Sequence, residues 1–139
     1  VRDVDMIIVH CSATPVTMDI GVDEIRKWHK ARGWRDVGYH YVITLDGTLQ
    51  QGRPEGVPGA HAKGFNTRSI GICYVGGVDE NMKPLDTRTE DQKLTMMAVI
   101  ESILEDYPLA VVIGHRDLPN VAKSCPSFDV QTWMYEETD

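Results

Sequence analysis

Two short apolar runs constrain this chain most. MIIV at residues 6–9 and LAVVI at residues 109–113 contain no polar position. Both are strand-sized, far short of the roughly 20 apolar residues that a membrane span needs. A strand without polar alternation buries both faces and needs cover on both sides of its sheet. Each run also leads into a histidine, His10 in one case and His115 in the other. If the two strands are neighbours, those histidines meet on one rim, where sheets of this kind hold ligands.

The segments between supply the cover. Gly21 or Asp23 can start a helix that runs to about Arg32, with Val22, Ile25 and Trp28 at helical spacing and Gly33 as its stop. GYHYVITLDGTLQQGR, residues 38–53, alternates around an Asp46–Gly47 turn and predicts a hairpin. A Gly- and Pro-rich loop follows, then SIGICYVGG at residues 69–77 as a further strand. Thr89 stands three positions before Gln92, the spacing of a capping box, and opens a helix to about Asp106. A last helix is expected from about Phe128 to Glu136, with Trp133 facing inward. This order predicts an α/β fold, a single mixed β-sheet flanked by helices.

The chain has 139 residues and a formal net charge of −7. The length suits one domain, residues 1–139, and the charge argues against a general nucleic-acid binder. Three scattered cysteines, Cys11, Cys73 and Cys125, do not make a disulfide framework. Two read as buried thiols and Cys125 as the one placed for chemistry. Two imidazoles and a thiolate, from His10, His115 and Cys125, are nitrogen and sulfur donors suited to zinc with a fourth position left for water. Lys123, two residues before Cys125, and Tyr39 on the hairpin are candidates to stabilise charge or move protons beside it. His61 lies in the Gly-rich loop and is a better functional candidate than His29, which reads as a partly exposed residue on the first helix. Cys125 as a nucleophile with His115 as base is an alternative, but it leaves His10 without a role.

VHCSAT (9–14), IRKWHKARGWRDVGYHYVI (25–43), DGTLQQGR (46–53), GAHAKGFNTRSIGICYVGG (59–77), GHRDL (114–118) and KSCPSFD (123–129) occur in an order that resembles a known family. It is the zinc-dependent N-acetylmuramoyl-L-alanine amidases, or type-2 amidases. These include phage lysozymes of the T7 kind, which this chain resembles most, and the peptidoglycan recognition proteins. The resemblance implies one Zn2+ per chain held by His10, His115 and Cys125. It implies Tyr39 and Lys123 as the catalytic pair, and His61 and Asn66 as cleft residues that meet the substrate. The implied reaction is hydrolysis of the amide between N-acetylmuramic acid and L-alanine in peptidoglycan, by one catalytic domain over residues 1–139. Some relatives keep the fold, lose a metal ligand and only bind peptidoglycan; Cys125 favours catalysis here. Asp117 reads as a loop cap or a support behind the metal. The expected partner is peptidoglycan, with no nucleic acid, no membrane insertion and a monomeric state. The N-terminus lacks the layout of a secretory leader. The expected route is therefore cytoplasmic synthesis with action at the cell wall, or secretion with a leader already removed.

Overall fold

The computed structural model describes residues 2–138. Its elements, in chain order, are β1 (Met6–Cys11), α1 (Val22–Ala31), β2 (Tyr41–Ile43), β3 (Leu49–Gln51), β4 (Ser69–Tyr74), α2 (Glu90–Asp106), β5 (Val111–Gly114) and α3 (Val130–Thr138). Short 3-10 turns lie at Asn66–Arg68 and His115–Asp117. The five strands form one sheet in the order β3-β2-β4-β1-β5. β1 is parallel to both β4 and β5, β2 is parallel to β4, and only the β2–β3 hairpin is antiparallel. A single mixed sheet flanked by helices is thus what the sequence predicts. The final strand stops at Gly114, and His115 begins the turn beyond it.

Alternation along each strand divides the core in two. Ile7 and Val9 of β1, Ile43 of β2, and Ile70, Ile72 and Tyr74 of β4 face α2 and α3, against Met96, Val99, Ile100, Ile103, Phe128 and Trp133. On the other face, Val42 packs with Val22 and Ile25 of α1 and with Val37 and Val75. Ile8 and Ile113 pack there beneath Ala62 and Leu118. His10, Gly71 and Cys73 share this second face by strand parity, so the site histidine stands where loops, rather than α2, cover the sheet.

The helix ends are well specified. Thr89 Oγ1 accepts from Gln92 N at 3.1 Å, and Gln92 Oε1 accepts from Thr89 N at 3.0 Å, closing the capping box. Gln92 is fully buried, and its amide also donates to Val75 O at 2.9 Å, tying α2 to the segment after β4. α1 is capped by Glu24 Oε1, which accepts from Gly21 N, and by Gln50 Oε1, which accepts from Val22 N, each at 2.7 Å. Gly33, with φ of +93°, ends α1 as expected. Trp28 departs from the reading: it is 41% exposed, and the inward position next to it belongs to His29, 7% exposed. Arg88 braces the C-terminal segment. Its guanidinium lies over the Phe128 ring at 3.3 Å and near Trp133 at 4.7 Å, while Asp86 accepts from it at 3.0 Å.

In urea unfolding of the metal-free protein, Ile100→Ala should cost about 2–5 kcal/mol because the site is fully enclosed. Thr89→Ala should cost about 1 kcal/mol through the lost cap.

Candidate metal centre and cleft

The β1–β5 ladder sets two donors side by side. Val9 pairs with Gly114, so the residues that follow, His10 and His115, leave the rim together. Their ring centroids are 4.5 Å apart. His10 is 2% exposed and His115 is half-buried at the rim.

Cys125 comes from outside the sheet, and three hydrogen bonds to it and to Pro126 hold it there. Cys11 N donates to Cys125 Sγ at 3.2 Å, and Arg116 N donates to Cys125 O at 2.8 Å. Tyr74 Oη, from the far face, donates to Pro126 O at 2.6 Å. Asp117 caps the turn between, its Oδ2 accepting from Gly114 N at 2.8 Å, which is the loop-capping role the sequence suggested. Ser127, at a φ of +71°, turns the chain away, and its hydroxyl donates to Gly77 O at 2.7 Å. As a result one donor atom from each of His10, His115 and Cys125 lies within 4.8 Å of the others. Among the described residues this is the one group of His, Cys, Asp or Glu side chains gathered closely enough to hold a metal ion.

The surroundings keep the nitrogen donors unprotonated. Burial, then the neighbouring His61 and His115, push the His10 imidazole well below its ordinary range. Burial, then Lys123, lowers His115. Both rings are therefore neutral at pH 7, the form that ligates. A hydrogen bond with the Cys11 thiol, then burial, pushes the Cys125 thiol up, so a thiolate there calls for a positive partner.

Tyr39 stacks obliquely against His10, centroids 5.1 Å apart, and burial, then the nearby Cys73, holds it firmly as a phenol. His29 builds the wall behind it. His29 Nδ1 accepts from Gly38 N at 2.8 Å, and its ring meets Trp34 and Tyr39 at 4.6 and 5.5 Å. The partly exposed surface role expected for His29 is thus overturned. The single-sequence signal that could have found this is its i, i+4 spacing from the buried Ile25.

Beside the donors opens a cleft of about 620 Å³, lined by Arg32, Trp34, His61, Asn66, His115 and Lys123, among others. It continues into a second hollow over Phe65, Leu118 and Val121. No acidic side chain lines either one, whereas Arg32, Lys63 and Lys123 do. His61 Nδ1 lies 2.8 Å from His10 Nε2. Asn66 Oδ1 accepts from both His61 N and Ala62 N at 2.9 Å, so it shapes the loop that carries His61. A cavity of similar size, about 660 Å³, lies between the start of α1 and the hairpin, but it contains none of these groups.

Residues 1–128 match the family described as N-acetylmuramoyl-L-alanine amidase. The chain belongs to this amidase family. It is 46% identical over 129 residues to the endolysin of Escherichia phage T7, covering 93% of this chain and 84% of that one. It is 44% identical over 133 residues to the endolysin of Enterobacteria phage K11, covering 96% and 87%. In three dimensions it resembles the N-acetylmuramoyl-L-alanine amidase LysC of Clostridium intestinale URNW, with a TM-score of 0.83 and 28% identity, covering 99% of this chain and 85% of that one.

The buried histidines of this amidase make its stability depend on pH. Burial holds His29 and His40 at about 4, below the roughly 6.5 of an unfolded histidine. Between those values the unfolded chain binds more protons, so the stabilisation is complete above about pH 6.5 and is lost on acidification toward pH 4. The Tm of the metal-free protein should fall over that window, and His29→Asn should flatten the fall.

Proposed function

We propose that this chain is a zinc-dependent N-acetylmuramoyl-L-alanine amidase of the endolysin type, acting on peptidoglycan as one catalytic domain. The observation that carries the reading is the convergence of His10, His115 and Cys125 in a member of this family. Two neutral imidazoles and a sulfur are the donor chemistry zinc favours, and three protein donors are the number found at catalytic sites. When bound, zinc supplies Lewis acidity, lowering the pKa of a water and polarising the carbonyl to be cleaved.

The chain's own residues do the rest. Lys123 stands at the cleft mouth beside His115 and places an ammonium where the carbonyl oxygen gains charge. Tyr39, held as a phenol beside His10, is the hydroxyl we assign to hydrogen-bond the reacting group. The positive lining of Arg32, Lys63 and Lys123 suits the carboxylates of a stem peptide, and Trp34 and Asn66 form its sides. The same lining reconciles an acidic protein with an acidic substrate, because the net charge of −7 is carried away from the cleft. No helix among the described residues is long and apolar enough to cross a membrane.

Chelation by EDTA should abolish lysis, and added zinc should restore it. Mass analysis of digested sacculi should show stem peptides beginning with L-alanine; cut glycan bonds or cross-bridges would refute the reading. Cys125→Ser should lose zinc and turnover together. Lys123→Ala should keep zinc stoichiometry while kcat falls by about 100-fold or more.

A further inference from the structure

We infer that His61 is a positioning residue for the metal centre: its Nδ1 accepts the Nε2 proton of His10 and thereby commits the His10 Nδ1 lone pair to the metal. The inference rests on the zinc reading above and assigns His61 a task other than meeting substrate.

The argument is a count of protons along one chain of hydrogen bonds. It starts at Phe65 O, which can only accept. Ser69 Oγ lies 2.8 Å from it and gives it its single proton. Ser69 Oγ must then accept from its other polar neighbour, His61 Nε2, at 3.1 Å. His61 therefore carries its proton on Nε2, and its Nδ1 holds a lone pair. That lone pair faces His10 Nε2 at 2.8 Å, so His10 is the donor there and its own proton sits on Nε2. What remains on His10 is Nδ1, which looks toward Cys125 Sγ at 3.9 Å. A carbonyl on a loop thus dictates which nitrogen of a ligand is free, three groups away.

The loop is built to keep His61 in this pose. Asn66 fixes its backbone N. The imidazole lies flat on β4, where a Cβ at Gly71 would come within 2.7 Å of its Cγ and Nδ1. A Cβ at Gly59 would come within 2.8 Å of its Cδ2. Both glycines leave room for the ring. With each ring nitrogen already engaged, His61 has none left for a polar contact with peptidoglycan. Ligating histidines commonly depend on such an acceptor for orientation and basicity.

The experiment measures zinc itself against a competing chelator, with the full chain and no substrate. His61→Phe keeps a ring and removes the acceptor; its zinc Kd should rise about 10–100-fold. His61→Asn puts an amide oxygen near the Nδ1 position and should stay within about threefold of the parent. Long-range 1H–15N spectra of the metal-free parent should show His10 and His61 both protonated on Nε2. A His61→Phe affinity equal to the parent's, or a His10 protonated on Nδ1, would overturn the inference. Should His61→Phe fail to fold, Ser69→Ala tests the same chain from its far end, and the spectra need no substitution. Neither readout involves hydrolysis, so a failure of the amidase reading would show in the sacculus digest and not here.

Discussion

The parallel pairing of β1 with both of its neighbours is the constraint on which the rest of the molecule depends. Parallel strands deliver all their C-terminal ends to one rim. β1 sits between β4 and β5, so its end is flanked by theirs: Cys73 lies opposite His10 on one side, and the Val9–Gly114 pairing delivers His115 on the other. A register slip of one residue in β5 would turn Ile113 out of its core and aim His115 elsewhere. Burial of the C-terminal half of β5, Ile113 and Gly114, is what makes such a slip costly. The apolar runs that define β1 and β5 are therefore both the stabilising feature and the aiming device.

Cys125 meets this rim by another principle. No ladder holds it; it is clipped to the end of β1 by Cys11 N–H and to the His115–Asp117 turn by Arg116 N–H. The loop is anchored from below by Tyr74, whose hydroxyl emerges from the opposite core. Arg88, sandwiched against Phe128 and Trp133, fixes the segment just after it. A site made of one strand residue, one residue of the turn just beyond a strand and one loop residue thus draws its rigidity from both hydrophobic cores.

The sheet, its helices and the three donors were legible in the sequence because each has a local signature. MIIV and LAVVI are apolar enough to announce strands; β1 is buried as expected, whereas LAVVI supplies an edge strand that begins only at Val111, with Leu109 90% and Val111 53% exposed. Thr89 and Gln92 announce their helix by spacing, and the histidines stand at strand ends. Missing were the relations across space. Trp28 had the more apolar side chain, yet the helix turns His29 inward, because Gly38 N needs an acceptor and Trp34 and Tyr39 leave a slot of imidazole size. Gln92 gave its cap but not its bond to Val75 O. His61 looked like a cleft residue and does line the cleft. Its ring partner His10 lies 51 residues away and is set by tertiary folding that no local window of sequence spans.

The distance along the chain between the donors carries one last consequence. His10 and Cys125 are 115 residues apart, and β5 must be laid against β1 before either histidine has its neighbour. Domains emerge from the ribosome N-terminus first. A nascent chain therefore holds His10 without the other two donors until residue 125 has left the ribosome. A polypeptide that stops short of Cys125 cannot assemble the centre.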